Sequence, residues 1–186
     1  MTKEIPTSLQ IIQAGGIILY PTDTVYGIGC DARNEKAIER IALLKKRPFQ
    51  KSYIVLVSSA DEIKFIVKKF DVKWLSQIPN DKPTTIIYPE AKNLPKSVIA
   101  EDGSIAIRIV NHPFCTALLK KLNAPLLSTS ANISGEPSPS TFTDIKATIL
   151  NGVDYIVNLP AAQDRVAQPS RLIKIMSDGK FETIRD

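Results

Sequence analysis

Lys45-Lys46-Arg47-Pro48, with Lys51-Ser52 just beyond, sets cations at the end of a helical pattern beside a hydroxyl. Such cations can complement the helix C-terminal dipole in solvent. They can also clamp an anion, Lys as a point charge and Arg as a fork for phosphate or carboxylate oxygens. Arg108 lies inside the apolar run Ile105-Ala106-Ile107-Arg108-Ile109-Val110. A cation there must be paired or face away from the core, because burying it alone is costly. Ser128-Thr129-Ser130-Ala131-Asn132-Ile133-Ser134-Gly135 follows a short apolar run. Its hydroxyls and amide can cradle phosphate oxygens, or cap their own backbone as a polar loop. Gln168-Pro169-Ser170-Arg171 again joins a hydroxyl to a cation ahead of a strand. Pro21-Thr22-Asp23-Thr24-Val25-Tyr26-Gly27 is polar and nearly uncharged, suited to gripping a small polar ligand or to punctuating a tight loop.

Other chemistries lack their residues. The single histidine, His112, is read as a helix cap, and Cys30 and Cys115 are isolated from each other and from metal-ligand spacing. Carboxylates do not cluster, so nucleophilic triads, zinc hydrolysis and carboxylate-pair glycoside chemistry are poorly supported. Neither a Walker loop nor a dinucleotide fingerprint is present. The net charge of +5 favours anionic partners such as nucleotides or RNA. No apolar run approaches the length of a membrane span and the N-terminus lacks a signal core, so a cytoplasmic protein without membrane contact is expected.

The elements that must position these groups are legible as a mixed series. A helix is expected over Thr7–Ala14, ended by Gly15-Gly16, then a buried strand over Ile17–Tyr20. Asn34 caps a helix reaching Leu44, with Ile38, Ile41 and Ala42 on one face and Pro48 as its stop. A strand at Ile54–Val57 precedes capping-box spacing at Ser59–Glu62 and an apolar stripe of Ile63, Ile66, Val67 and Phe70. Strands follow at Thr84–Tyr88 and Ile105–Ile109, separated by a looped 89–104 with a turn at Lys96–Ile99. Pro113 opens a helix to Leu122, and Leu126–Thr129 is a strand. A helix around Asp144–Leu150 and strands at Asp154–Leu159, Leu172–Met176 and Phe181–Ile184 complete the series. The pattern predicts one α/β domain over residues 1–186, a mixed sheet with flanking helices.

Taken together, Tyr20-Pro-Thr-Asp-Thr-Val-Tyr-Gly-Ile-Gly-Cys, Lys45-Lys-Arg-Pro, Ile105-Ala-Ile-Arg-Ile and Ser128-Thr-Ser-Ala-Asn-Ile-Ser-Gly resemble the YrdC/TsaC family, in order and over nearly the whole chain. The family's signature pairs Lys-x-Arg with a later Ser-x-Asn, matched by Lys45, Arg47, Ser130 and Asn132. That pair also separates the chain from YciO-like relatives. The resemblance implies a twisted mixed sheet around a deep basic cavity, in the short single-domain form. It implies synthesis of threonylcarbamoyl-adenylate from L-threonine, bicarbonate and ATP with release of pyrophosphate, for threonylcarbamoyladenosine in tRNA. Lys45 and Arg47 would be catalytic. Lys45, Arg47, Arg108, Ser130 and Asn132 would bind the nucleotide phosphates, and Thr22, Thr24, Tyr26 and Ser170 would lie near threonine. Mg2+ is implied by ATP use, with no ligand set to name for it. A separate transferase complex would take the product, and tRNA would be met indirectly or weakly.

Two stretches depart from the family pattern. Asn80-Asp81-Lys82-Pro83-Thr84-Thr85 stands where Pro-Gly-Pro-x-Thr is usual, and Arg171 stands where threonine is common. Sequence leaves open their effect on the cavity wall, and whether Lys82 enters the site. Rival readings are a non-catalytic module for double-stranded RNA or tRNA, and a carbamoyl-phosphate-handling relative. Aromatics at 6% and the absence of an aromatic-interleaved basic strand argue against an RNA-recognition sheet.

Overall fold

The computed structural model describes residues 3–47, 53–159, 168–176 and 178–186; Pro48, Lys51 and Ser52 fall outside them. Nine strands form one mixed sheet in the order β7-β1-β2-β6-β3-β5-β4-β8-β9. They are β1 (Ile18–Tyr20), β2 (Gly27–Asp31), β3 (Ile54–Val57), β4 (Thr84–Tyr88), β5 (Ile105–Ile109), β6 (Leu126–Ser130), β7 (Tyr155–Ile156), β8 (Arg171–Ile175) and β9 (Phe181–Arg185). The helices are α1 (Glu4–Gln13), α2 (Glu35–Leu44), α3 (Ala60–Ile66), α4 (Lys73–Ser76), α5 (Pro113–Leu122) and α6 (Ala147–Leu150).

Alternation along the strands sorts the core onto two faces. Leu19, Val55, Val57 and Leu127 join one buried cluster with Ile38 and Ile41 of α2 and Ile63 and Ile66 of α3. Ile18, Tyr20, Leu56 and Leu126 join the other, with Ile5 and Ile12 of α1 and Phe114, Leu118 and Leu122 of α5. Asn34 caps α2 as expected, its side chain accepting from the Ala37 amide at 3.1 Å.

Several local expectations are corrected. α1 begins at Glu4 rather than Thr7, with Pro6 tolerated in a first turn that needs no intrahelical donor. Glu62 does reach back from α3, but to the Ser58 amide and hydroxyl, and Ser59 makes no cap hydrogen bond to the helix backbone. α3 ends at Ile66, and Val67 bridges to Ala91 instead of continuing the stripe. His112 occupies the cap position of α5 without a side-chain cap bond, and its Nδ1 is buried without a partner among the described residues. α4 and β2 are additions. Gly27 and Gly29 read as turn punctuation, yet they alternate with Ile28 and Cys30 along a fully paired strand. A Cβ on Gly29 would meet Leu127 O at 2.5 Å and Tyr20 Oη at 2.9 Å, so glycine is what lets the Tyr20 ring cross this strand.

Candidate active site

Strand register assembles the site. Gly27 pairs with Ser130, Ile54 with both Ser128 and Ala106, Leu56 with Arg108, and Ala106 with Ile87. Thr85 pairs with Leu172, which pairs with Arg185. Residues opposite each other in a ladder share a face. This row therefore runs along the face that carries α1 and α5, which pack on Ile18 and Tyr20 of β1, Leu56 of β3 and Leu126 of β6. Where no helix covers it, small side chains leave a cavity of about 270 Å³.

Among the sequence-designated residues, the cavity wall brings together Thr22, Thr24, Arg47, Arg108, Ser130 and Ser170; Tyr26, Lys45 and Asn132 lie outside it. The Thr22 hydroxyl donates to Val25 O at 2.7 Å and accepts from the Thr24 amide at 3.0 Å, which folds the Pro21–Tyr26 loop back on itself. Arg108, 5% exposed, donates from Nη1 to Thr24 Oγ1 at 3.0 Å. Its Nη2 faces Asp23 Oδ1 at 3.3 Å, and Asp23 Oδ2 accepts from the Asn111 amide at 3.2 Å. Arg108 Nε is buried with no acceptor among the described residues. The cation inside an apolar strand is thus paired at the mouth of the cavity.

Lys45 sits at the end of α2 with 1% exposure. Its ammonium donates to the Ser130 carbonyl and, at 2.5 Å, to the Asn132 carbonyl. Burial first, and the Arg47 charge second, push the Lys45 ammonium down to about 7. Lys46 then takes a left-handed φ of 50° and turns the chain, so that Arg47 faces the cavity and lies 4.4 Å over the Tyr53 ring. Lys-x-Arg and Ser-x-Asn therefore meet through lysine and main-chain carbonyls. Asn132 itself donates to Ile133 O and Glu136 O, leaving Oδ1 buried without a partner among the described residues. Tyr26 is buried against the edge of Phe142, with ring centroids 5.8 Å apart. Ser170 shares a 2.7 Å hydrogen bond with Thr85 Oγ1.

Sequence reasoning missed the wall residues Arg185 and Ser138, while Ser128 belongs to the hydroxyl run it singled out. Ser128 accepts from the Tyr20 phenol at 2.7 Å, so its own proton is free to point elsewhere. Arg185 lines the cavity and holds Ser170 O through Nε at 3.1 Å and Nη2 at 2.7 Å. Ser138 also contributes. Only the pairing of β9 reveals Arg185, because Phe181–Arg185 is too polar to mark one of its residues. Among the described residues no group of three or more His, Cys, Asp or Glu could hold a metal, and no helix is long and apolar enough to cross a membrane.

Comparison with known proteins bears on what such a cavity serves. Residues 10–186 match the Sua5/YciO/YrdC family model, described as telomere recombination. The chain is 34% identical over 187 residues to a threonylcarbamoyl-AMP synthase of Pseudoalteromonas translucida, covering 95% of this chain and 96% of that one. A synthase of the same name from Marinobacter nauticus is 32% identical over 181 residues, covering 96% and 94%. Among solved structures, E. coli YciO superposes with a TM-score of 0.83 at 24% identity, over 100% of this chain and 90% of that one. P. abyssi Sua5 complexed with L-threonine gives 0.85 at 24%, over 97% of this chain and 53% of that chain. With the match running from α1 through the last strand, the chain belongs to the Sua5/YciO/YrdC family.

Proposed function

We propose that this protein is an L-threonylcarbamoyl-AMP synthase, a nucleotidyltransferase for threonylcarbamoyladenosine formation in tRNA. The observation that carries it is the convergence of Arg47, Arg108 and Arg185 with the Thr22, Thr24 and Ser130 hydroxyls on one cavity. That set has no strong nucleophile, and the reaction needs none. Threonine's amine and bicarbonate form a carbamate with loss of water, a carbamate oxygen attacks the α-phosphorus of ATP, and pyrophosphate leaves. The work is to gather anions and hold them in line, which fixed cations and hydroxyls do by positioning and charge neutralisation.

In this reading Arg47 and Arg108 take phosphate oxygens, with Ser130 as a hydroxyl donor among them. Lys45 and Asn132 hold the Ser130–Asn132 segment from behind, and Lys45 turns from those carbonyls to the nucleotide phosphates when ATP binds. Thr22, Thr24 and Ser170 seat threonine, with Tyr26 packed behind them. Magnesium arrives with ATP as part of the substrate. Residues 1–186 act as one unit in the cytoplasm, and the product passes to a separate transferase that meets tRNA.

The test is pyrophosphate release from ATP and bicarbonate, with and without L-threonine. Release is expected to require threonine. Arg47→Ala should lower turnover through loss of about 2–4 kcal/mol of transition-state stabilisation, and Lys45→Ala should abolish most of it. Folded protein that releases no pyrophosphate with threonine would overturn the synthase assignment; undiminished turnover in Arg47→Ala would overturn the clamp.

A further inference from the structure

Arg171 opens β8 without facing the cavity, yet almost every direction of its guanidinium is used. Nη1 and Nη2 each reach a carboxylate oxygen of Asp81 at 2.9 Å, a fork on a fork. Nε donates to Asp186 Oδ1 at 2.8 Å and Nη1 to Pro79 O at 3.3 Å. Lys82 joins the same Asp186 oxygen at 2.8 Å, which places that lysine on the clasp. The Arg171 side chain is only 9% exposed, whereas both carboxylates face solvent. One buried cation thus ties the loop before β4, the start of β8 and the residue after β9.

Those segments carry one wall of the cavity. Pro169, Ser170 and Leu172 flank Arg171 and line it, as does Arg185 beside Asp186. Backbone pairing does not by itself fix this corner. The β8–β9 register shifts between Leu172 and Ile173, so Arg185 and Asp186 lie beyond an irregularity that bends the ladder. On the other side the Arg171 amide donates to Pro83 O at 2.9 Å, joining β8 to the loop that holds Asp81. The two departures from the family pattern, at 80–83 and at 171, are therefore in contact with each other. A threonine at 171 would be too short to reach Asp81.

We propose that Arg171 is a positioning residue, which through Asp81 and Asp186 sets the Ser170–Arg185 wall and with it the seat of the substrate that wall touches. The inference rests on the synthase reading for the identity of that substrate, threonine. Both carboxylates face solvent, which screens their pairing with Arg171, so the effect belongs in the cavity more than in the fold.

Arg171→Lys, which loses the fork, and Asp81→Asn should each raise the KM for threonine about 5- to 10-fold, with kcat within about twofold and the urea midpoint little changed. The double variant should be no worse than either single one, because both break the same link. Unchanged KM in both single variants, or single effects that multiply in the double, would overturn the proposal, as would a KM rise that only tracks lost stability. Should the wild type release no pyrophosphate, the synthase reading fails but the clasp is still read by titrating pyrophosphate into the same proteins. Weaker pyrophosphate binding in both single variants then supports the clasp, and unchanged affinity overturns it.

Discussion

Arg108 and Asp23 hold one another in a place where neither is easily replaced. The Asp23 side chain is 6% exposed, and its salt bridge to Arg108 is backed by the Asn111 amide. Breaking a buried pair from one side leaves an uncompensated charge. Arg108→Ala should therefore destabilise the fold by about 3 kcal/mol, read as a lowered urea midpoint at unchanged m-value. A loss of activity with unaltered stability would mean that the pair is dispensable to the fold. Arg108 is legible in the sequence because a cation within Ile105–Ile109 must find a partner. Its partner is not, since Asp23 lies on a loop that register alone brings across. Arg185 is illegible for the opposite reason: an arginine in a polar terminal strand resembles a solvated one. Lys45 stands out by its spacing from Arg47, but its grip on the Ser130 and Asn132 carbonyls depends on a turn at Lys46 that no pattern announces.

Among the elements, β2 departs furthest from its local signals. Two glycines suggest a turn, whereas their spacing of two is the strand period, and each lies where a cross-strand side chain needs room. Gly29→Ala sets a methyl against Leu127 O, main chain that cannot swing aside, and should cost about 2 kcal/mol or more in thermal or chemical denaturation. Gly27→Ala meets only the Ser128 hydroxyl at 3.1 Å and the Thr22 methyl and the Tyr20 ring at 3.4 Å. It should be the milder of the two for stability while narrowing the cavity floor. Equal stability losses would show that close approach to the main chain is not what sets the cost at Gly29. Most other strands and α2 and α5 are legible, because a buried run or a capped apolar stripe is a local signal. Element ends are less so: the start of α1 depends on packing against α5, which lies far along the chain.

For the whole molecule, buried titrating groups set a direction with pH. The Lys45 ammonium is pushed down from 10.5 to about 7 by burial, so the unfolded chain binds its proton more tightly. Stability from this group therefore rises as pH climbs from about 7 towards 10.5. His112, lowered from 6.5 by burial, adds a gain as pH rises towards 6.5. Burial raises the Cys30 thiol from 9.0 to about 12, a contribution complete below 9.0 and lost as pH rises through 12. The urea midpoint should accordingly increase from pH 6 to pH 9, and Lys45→Met should flatten the part above 7. A midpoint that falls over this interval would show that Lys45 keeps its full charge when buried. The site itself is spread over the chain, from the Thr22 loop to Arg185 in the outermost strand. Arg47 and Arg108 thus precede in the chain the strand whose Arg185 completes the cavity wall. Until β9 pairs with β8, Ser170 lacks the guanidinium that brackets its carbonyl. The edge strand β9 therefore acts as a bolt: while it is unpaired, the Ser170 side of the wall is incomplete, whatever the rest of the sheet has done.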